Sequence, residues 1–240
     1  MPDDSDRLTT ISPCAESRRA MERSFRRDLF ELFVGYGLIL VVIWTPNPPQ
    51  RILYWITFAF IAVSAWLARR HHETHGLGLR GLAPSLWIVG AAIVVFAAAL
   101  PIARAAGTLH PLYGVIPLGI HLAGYAVWAL MQQFILQIYV LLRLLRMGLG
   151  RTPAVALSAL LFGVAHIPNP VLIVLTLIWG TISCLLFLRY RNLYTIAVAH
   201  AVLGMCVAVT VPNSIQHHLR VGLGYVQYGH HHHHRTLLSP

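Results

Sequence analysis

Besides small hydroxyls, seven carboxylate, imidazole or amide side chains stand inside apolar stretches of this chain: Glu31, His121, Gln132, Gln133, Gln137, His166 and His200. In hydrocarbon such groups need partners, because a polar atom left unpaired there is costly. They therefore mark a candidate functional site. An imidazole can act as a general base near neutral pH or as a zinc ligand. A carboxamide donates and accepts hydrogen bonds but has no useful basicity. The chemistry within reach is proton transfer or metal binding at His121, His166 and His200, with Gln132, Gln133 and Gln137 as hydrogen-bonding neighbours. Interhelical hydrogen bonds that merely hold a bundle together account for the same residues equally well.

Their spacing is helical. His121, Tyr125, Trp128 and Gln132 are separated by four, three and four residues and share one stripe, and Gln133 and Gln137 form an adjacent one. At ~1.5 Å of rise per residue, Gln132 lies ~16 Å from Arg143, His166 ~20 Å from Pro153 and His200 ~10 Å from Leu193, so modest tilts bring all three near mid-membrane. Glu31 follows Arg27 by one helical turn. A local ion pair is the expected role, and a carboxylate supplied to the site is the alternative.

The elements that must position these groups are apolar spans. Of 240 residues, 57% are hydrophobic and 11% charged, with a mean hydropathy of +0.65, the composition of a polytopic membrane protein. Apolar segments at about 29–45, 51–68, 83–103, 118–142, 153–167, 170–188 and 193–211 come close to the ~20 residues needed to cross a bilayer. An all-α bundle of about seven transmembrane helices is expected. Residues 1–28 form a basic arm in which Met21, Phe25 and Leu29 share one face, suited either to anionic membrane lipid or to a solvated topology signal. Residues 29–211 are the transmembrane domain and 212–240 a His-rich tail. With the N-terminus inside, fourteen arginines fall on cytoplasmic segments and four (Arg51, Arg104, Arg220, Arg235) on the other side, which argues for a cytoplasmic N-terminus and an external C-terminus.

The formal charge of +10 comes from arginines spread between spans, so nucleic acid is not an expected partner. All eight acidic residues precede position 74, so residues 74–240 hold no carboxylate side chain. Cys14, Cys184 and Cys206 are expected to be reduced, and the polar first 28 residues lack a secretory signal. His71, His72 and His75 in one loop, or His121, His166 and His200 between spans, would suit zinc. The histidine run at 230–234 carries no functional argument.

Three signatures in order, QQFILQ at 132–137, FGVAH at 162–166 and AHAVLG at 199–204, resemble the CPBP (Abi) family of intramembrane proteases, which includes CAAX prenyl endopeptidases. That family carries EExxxR, FxxxH and HxxxN on successive membrane helices, and the likeness covers about residues 120–206. Phe162, His166 and His200 match. Gln132 and Gln133 stand where the family has glutamates, Gln137 where it has arginine, and Gly204 where it has asparagine. In the family the first glutamate and the second-motif histidine activate water, while the third-motif histidine and asparagine stabilise the oxyanion.

The resemblance thus implies catalytic positions at His166, His200, Gln132, Gln133 and Gln137, with Gln132 unable to act as base; Phe162, together with His121 and Trp128 from the stripe of Gln132, is the expected substrate-binding surface. Loss of both glutamates together with the arginine reads as one neutralised network, since a buried arginine without its carboxylate is an uncompensated charge. On this reading an arginine restored at 137 would pair with a carboxylate restored at 132. The implied function is an endopeptidase acting on a hydrophobic or prenylated peptide in a bacterial inner membrane, with a histidine as base. The alternatives are a pseudoprotease that binds a lipidated or transmembrane client without cutting it, and a histidine metal site.

Overall fold

The structure, a computed structural model, describes residues 13–68, 76–110 and 118–228. The His71, His72 and His75 loop and the histidine run at 230–234 lie outside the described residues. No strand occurs among those described; the elements are helices α1 (Pro13–Trp44), α2 (Pro49–Ala68), α3 (Leu82–Ala105), α4 (Leu118–Gln133), a π-helical segment (Phe134–Leu141), α5 (Leu142–Arg146), α6 (Arg151–Val164), α7 (Pro170–Tyr190) and α8 (Leu193–Thr210). A short α9 (Asn213–Gln216) follows.

Among the described residues five segments are long and apolar enough to cross a membrane: Pro49–Ala68, Leu82–Ala105, Leu122–Arg146, Pro170–Tyr190 and Leu193–Thr210. The other two apolar stretches of the sequence take different forms. One is the second half of α1, which carries Arg27, Asp28 and Glu31 into its start, and the other is the shorter α6. The basic arm is continuous with the first apolar stretch, since α1 runs unbroken from Pro13, and Met21, Phe25 and Leu29 are exposed on it.

The centre is the rod formed by α4, the π segment and α5, whose residues Leu136 to Leu144 are all buried. Around it α3 packs on α8 and α6 on α7. Gly163 and Gly180 allow the α6–α7 approach: a Cβ on Gly163 would lie 2.8 Å from Leu177 Cγ, and one on Gly180 3.3 Å from Ala159 Cα. Asn169 caps α7 by accepting from Leu172 N at 3.2 Å, and its amide donates to Gln216 O and Arg220 O. The segment after α8 is thereby tied over the α6–α7 turn.

The α1–α2 hairpin joins this core through a buried charge cluster that the sequence did not announce. Arg143 is fully buried; its Nη2 donates to Glu31 Oε2 at 2.6 Å and also to Ser64 Oγ, and its Nε lies 3.5 Å from Asp28 Oδ1. Arg146 holds Asp28 through two hydrogen bonds, 2.9 and 3.2 Å. The expected Arg27–Glu31 pair is present at 3.4 Å, but the shorter contact of Glu31 is with Arg143. A flanking arginine is here a packing residue. Beyond the cluster, Tyr36 Oη donates to Leu161 O at 2.9 Å.

Candidate active site

The two glutamine stripes separate as their spacing requires, and they do so onto different surroundings. Gln132 and Trp128 line a cavity of about 450 Å³ between the α1–α2 hairpin and the core, together with Tyr36, Tyr54, Ser158, Phe162 and His166. Trp128 stacks on Tyr54, with ring centroids 5.6 Å apart. The volume lies within the range of ligand sites, and a wall dominated by aliphatic and aromatic side chains suits an apolar guest. Gln132 is half-buried, and no hydrogen bond joins its side chain to another described residue. Its amide is therefore free to meet a guest or water. No Asp or Glu stands among the lining residues.

Gln133 and Gln137, both fully buried, instead form a chain. Gln137 Nε2 donates to Gln133 Oε1 at 3.0 Å and to Ser183 Oγ at 3.1 Å, and Gln133 Nε2 meets His200 Nδ1 at 2.8 Å. The expected pairing is corrected here: position 137 is joined to 133, not to 132. An arginine restored at 137 would accordingly need its carboxylate at 133. The chain lies where the backbone changes pitch. Leu142 N–H reaches back five residues to Gln137 O, closing the π segment. Such segments are rare and often sit at functional sites.

Each histidine has one ring nitrogen committed. His166 Nδ1 lies 2.6 Å from Phe162 O. A carbonyl only accepts, so this nitrogen carries the hydrogen and the neutral ring keeps its lone pair on Nε2. His166 is buried but lines the cavity. His200 meets the amide chain through Nδ1; with Gln133 Nε2 as the donor, Nδ1 accepts and the hydrogen stands on Nε2. His200 is not among the lining residues. Its ring meets the edges of Phe162 and Trp179 at 5.9 and 6.1 Å, and His166 meets the same Phe162 at 5.0 Å. Phe162 thus touches both imidazoles and forms part of the cavity wall.

Gly204, one turn beyond His200, has a packing reason. A Cβ there would overlap the Tyr125 hydroxyl, so the asparagine of the resembling motif has no room while Tyr125 stays in place. The side chain of His121 lies outside the described residues. Among the described residues no three His, Cys, Asp or Glu side chains group as a metal site. Ser183 was not singled out by the sequence, since a lone hydroxyl in an apolar helix looks like any other; only its position opposite Gln137 identifies it.

Residues 114–206 match the family described as type II CAAX prenyl endopeptidase Rce1-like. No curated protein and no solved structure matches the chain. The matched stretch contains all three signatures, the amide chain and both histidines, whereas the α1–α2 wall of the cavity lies before it. Over its described residues the chain is an all-α polytopic membrane protein, and its stretch 114–206 is similar to the Rce1-like CAAX prenyl endopeptidases, consistent with the CPBP resemblance.

Proposed function

We propose that the chain is an intramembrane endopeptidase that hydrolyses a hydrophobic or prenylated peptide held in the cavity, with His166 as general base. The observation that carries this reading is the commitment of His166 Nδ1 to Phe162 O, which leaves the Nε2 lone pair on a residue lining the cavity. His166 takes a proton from the attacking water as its oxygen bonds the peptide carbonyl carbon, then returns that proton to the leaving nitrogen.

The Gln132 amide, unpartnered on the same wall, donates to the developing oxyanion, a role carboxamides fill well. Relative to the resembling motifs the amide donor has moved to the first motif, while the second-motif histidine remains a base. There an asparagine donates and a glutamate assists as base; here Gly204 has no side chain and Gln132 brings the amide. Beside Phe162 but not itself lining the cavity, His200 carries a second N–H. The apolar wall, Phe162 and Trp128 included, accepts the peptide's apolar groups.

A second reading, binding of a client without cleavage, is favoured by one fact: no carboxylate occurs after position 73 to assist either histidine. Purified protein in liposomes, given a quenched fluorescent prenylated peptide, separates the two. New amino termini and released fluorescence support the peptidase. Saturable binding with the peptide recovered intact supports the client-binding protein.

The arginine distribution supports a cytoplasmic N-terminus and an external C-terminus; the membrane that we propose is the inner membrane of a bacterial cell. Cysteine-accessibility labelling is expected to find positions in the 69–80 loop on the cytoplasmic side and positions in the 212–240 tail on the other. The reverse pattern would overturn that orientation.

A further inference from the structure

We infer that Ser183 is a positioning residue that sets the tautomer of His200 through the two buried amides. The amide chain can be ordered in two senses. In one, Ser183 Oγ donates to Gly180 O at 3.2 Å and accepts from Gln137 Nε2; Gln137 then donates to Gln133 Oε1, and Gln133 Nε2 donates to His200 Nδ1. His200 carries its hydrogen on Nε2. In the other, both amides are turned over. Ser183 then donates to Gln137 Oε1, Gln133 donates to Gln137, and His200 must donate from Nδ1, which leaves Nε2 bare.

The two senses differ in what they strand. The first leaves Gln137 Oε1 as the buried atom without a partner. The second strands both hydrogens of the Gln137 amide in the same buried place, and it breaks the Ser183 bond to Gly180 O. An under-used carbonyl oxygen is tolerated in protein interiors more readily than orphaned N–H groups. Ser183 contributes to the preference because its hydroxyl has an acceptor one turn back on α7 and so offers a lone pair, not a hydrogen, to Gln137. Its influence reaches His200 although the two side chains share no direct bond. His200 is thereby a donor while His166 keeps a lone pair, so the two rings do not compete for one role. The catalytic meaning of this division rests on the peptidase reading; the tautomer itself does not.

The experiment is nitrogen NMR on detergent-solubilised, histidine-labelled full-length protein, with His200 assigned by its loss in His200→Gln. The wild type is expected to show His200 with bare Nδ1 and protonated Nε2. Gln133→Glu provides the control, because a carboxylate accepts from both neighbours and moves the hydrogen to Nδ1. Ser183→Ala removes the Gly180 bond that separates the two senses, and the ratio of the two His200 tautomers is expected to fall about fivefold, the effect of one neutral hydrogen bond. Ser183→Thr, which keeps the hydroxyl, is expected to match the wild type. If the alanine variant does not fold, Ser183→Cys keeps the volume, weakens both bonds and is expected to shift the ratio in the same direction. A wild-type His200 protonated on Nδ1, or a ratio unchanged in the Ser183 variants while Gln133→Glu switches it, would overturn the inference. Absence of peptide cleavage would count against the peptidase reading and leave this readout unaffected.

Discussion

Gln132→Glu is expected to lower peptide cleavage by ~10²–10³-fold, the usual cost of losing one oxyanion donor. The substitution restores the glutamate of the resembling motif, and by that logic alone it should help. Geometry argues the other way. Gln132 brings an amide to the cavity wall without another described residue to bind it, and Gly204 lacks the side chain that would donate in its place. A carboxylate at 132 would remove the donor and place negative charge where the oxyanion forms. Adding Gly204→Asn together with Tyr125→Ala, which clears the overlap at Gly204, is expected to recover part of the loss by supplying a new amide. Steady-state cleavage rates of the variants in liposomes check both steps. A single Gln132→Glu change that raises the rate would identify position 132 as the site of a missing base.

Arg143→Ala should carry the largest loss of stability. Arg143 is fully buried against Asp28 and Glu31, and its loss leaves Asp28 to Arg146 and Glu31 to the half-exposed Arg27, so the cost is set at about 3 kcal/mol, the low end for a buried ion pair broken from one side. For a chain of this size that corresponds to a fall in Tm on the order of 10 °C. Binding should weaken with it, because α1 and α2 provide Tyr36, Tyr54 and their neighbours to the cavity wall and are fastened to the core by this cluster. Removing the fully buried charge with its two carboxylates, as Arg143→Met with Asp28→Asn and Glu31→Gln, is expected to cost less than Arg143→Ala alone, since the arginines that lose a partner, Arg27 and Arg146, are reached by solvent. Thermal unfolding in detergent measures each variant. An unchanged Tm for Arg143→Ala would show that the cluster does not fasten the hairpin.

The helical elements were legible because a membrane span must be long and apolar, and those properties are written locally. The division of the glutamines into two stripes was also legible, from residue spacing alone: Gln132 shares the cavity with Trp128, and Gln133 bonds Gln137. What each stripe meets was not. Ser183 and His200 are 46 and 67 residues from their glutamine partners, and no local pattern selects one hydroxyl or imidazole over another. Arg143 resembled an interfacial arginine because it sits near the end of an apolar run, while the Glu31 that buries it is 112 residues away. The π segment depends on how the rod packs, and helical periodicity read from sequence assumes a constant pitch. Val221, contributed to the cavity from beyond the last apolar segment, was hidden for a similar reason: Asn169 ties that stretch back across the α6–α7 turn.

The most direct measurement is single-turnover cleavage of a prenylated peptide by wild type and His166→Ala in liposomes, with peptide affinity determined for both. His166 touches the cavity as one of many wall residues but is the one assigned to move the proton. The expected result is a rate lower by ~10²–10⁴-fold in the variant, the range for loss of a positioned general base, with affinity little changed. Equal cleavage rates in the two proteins would contradict the account.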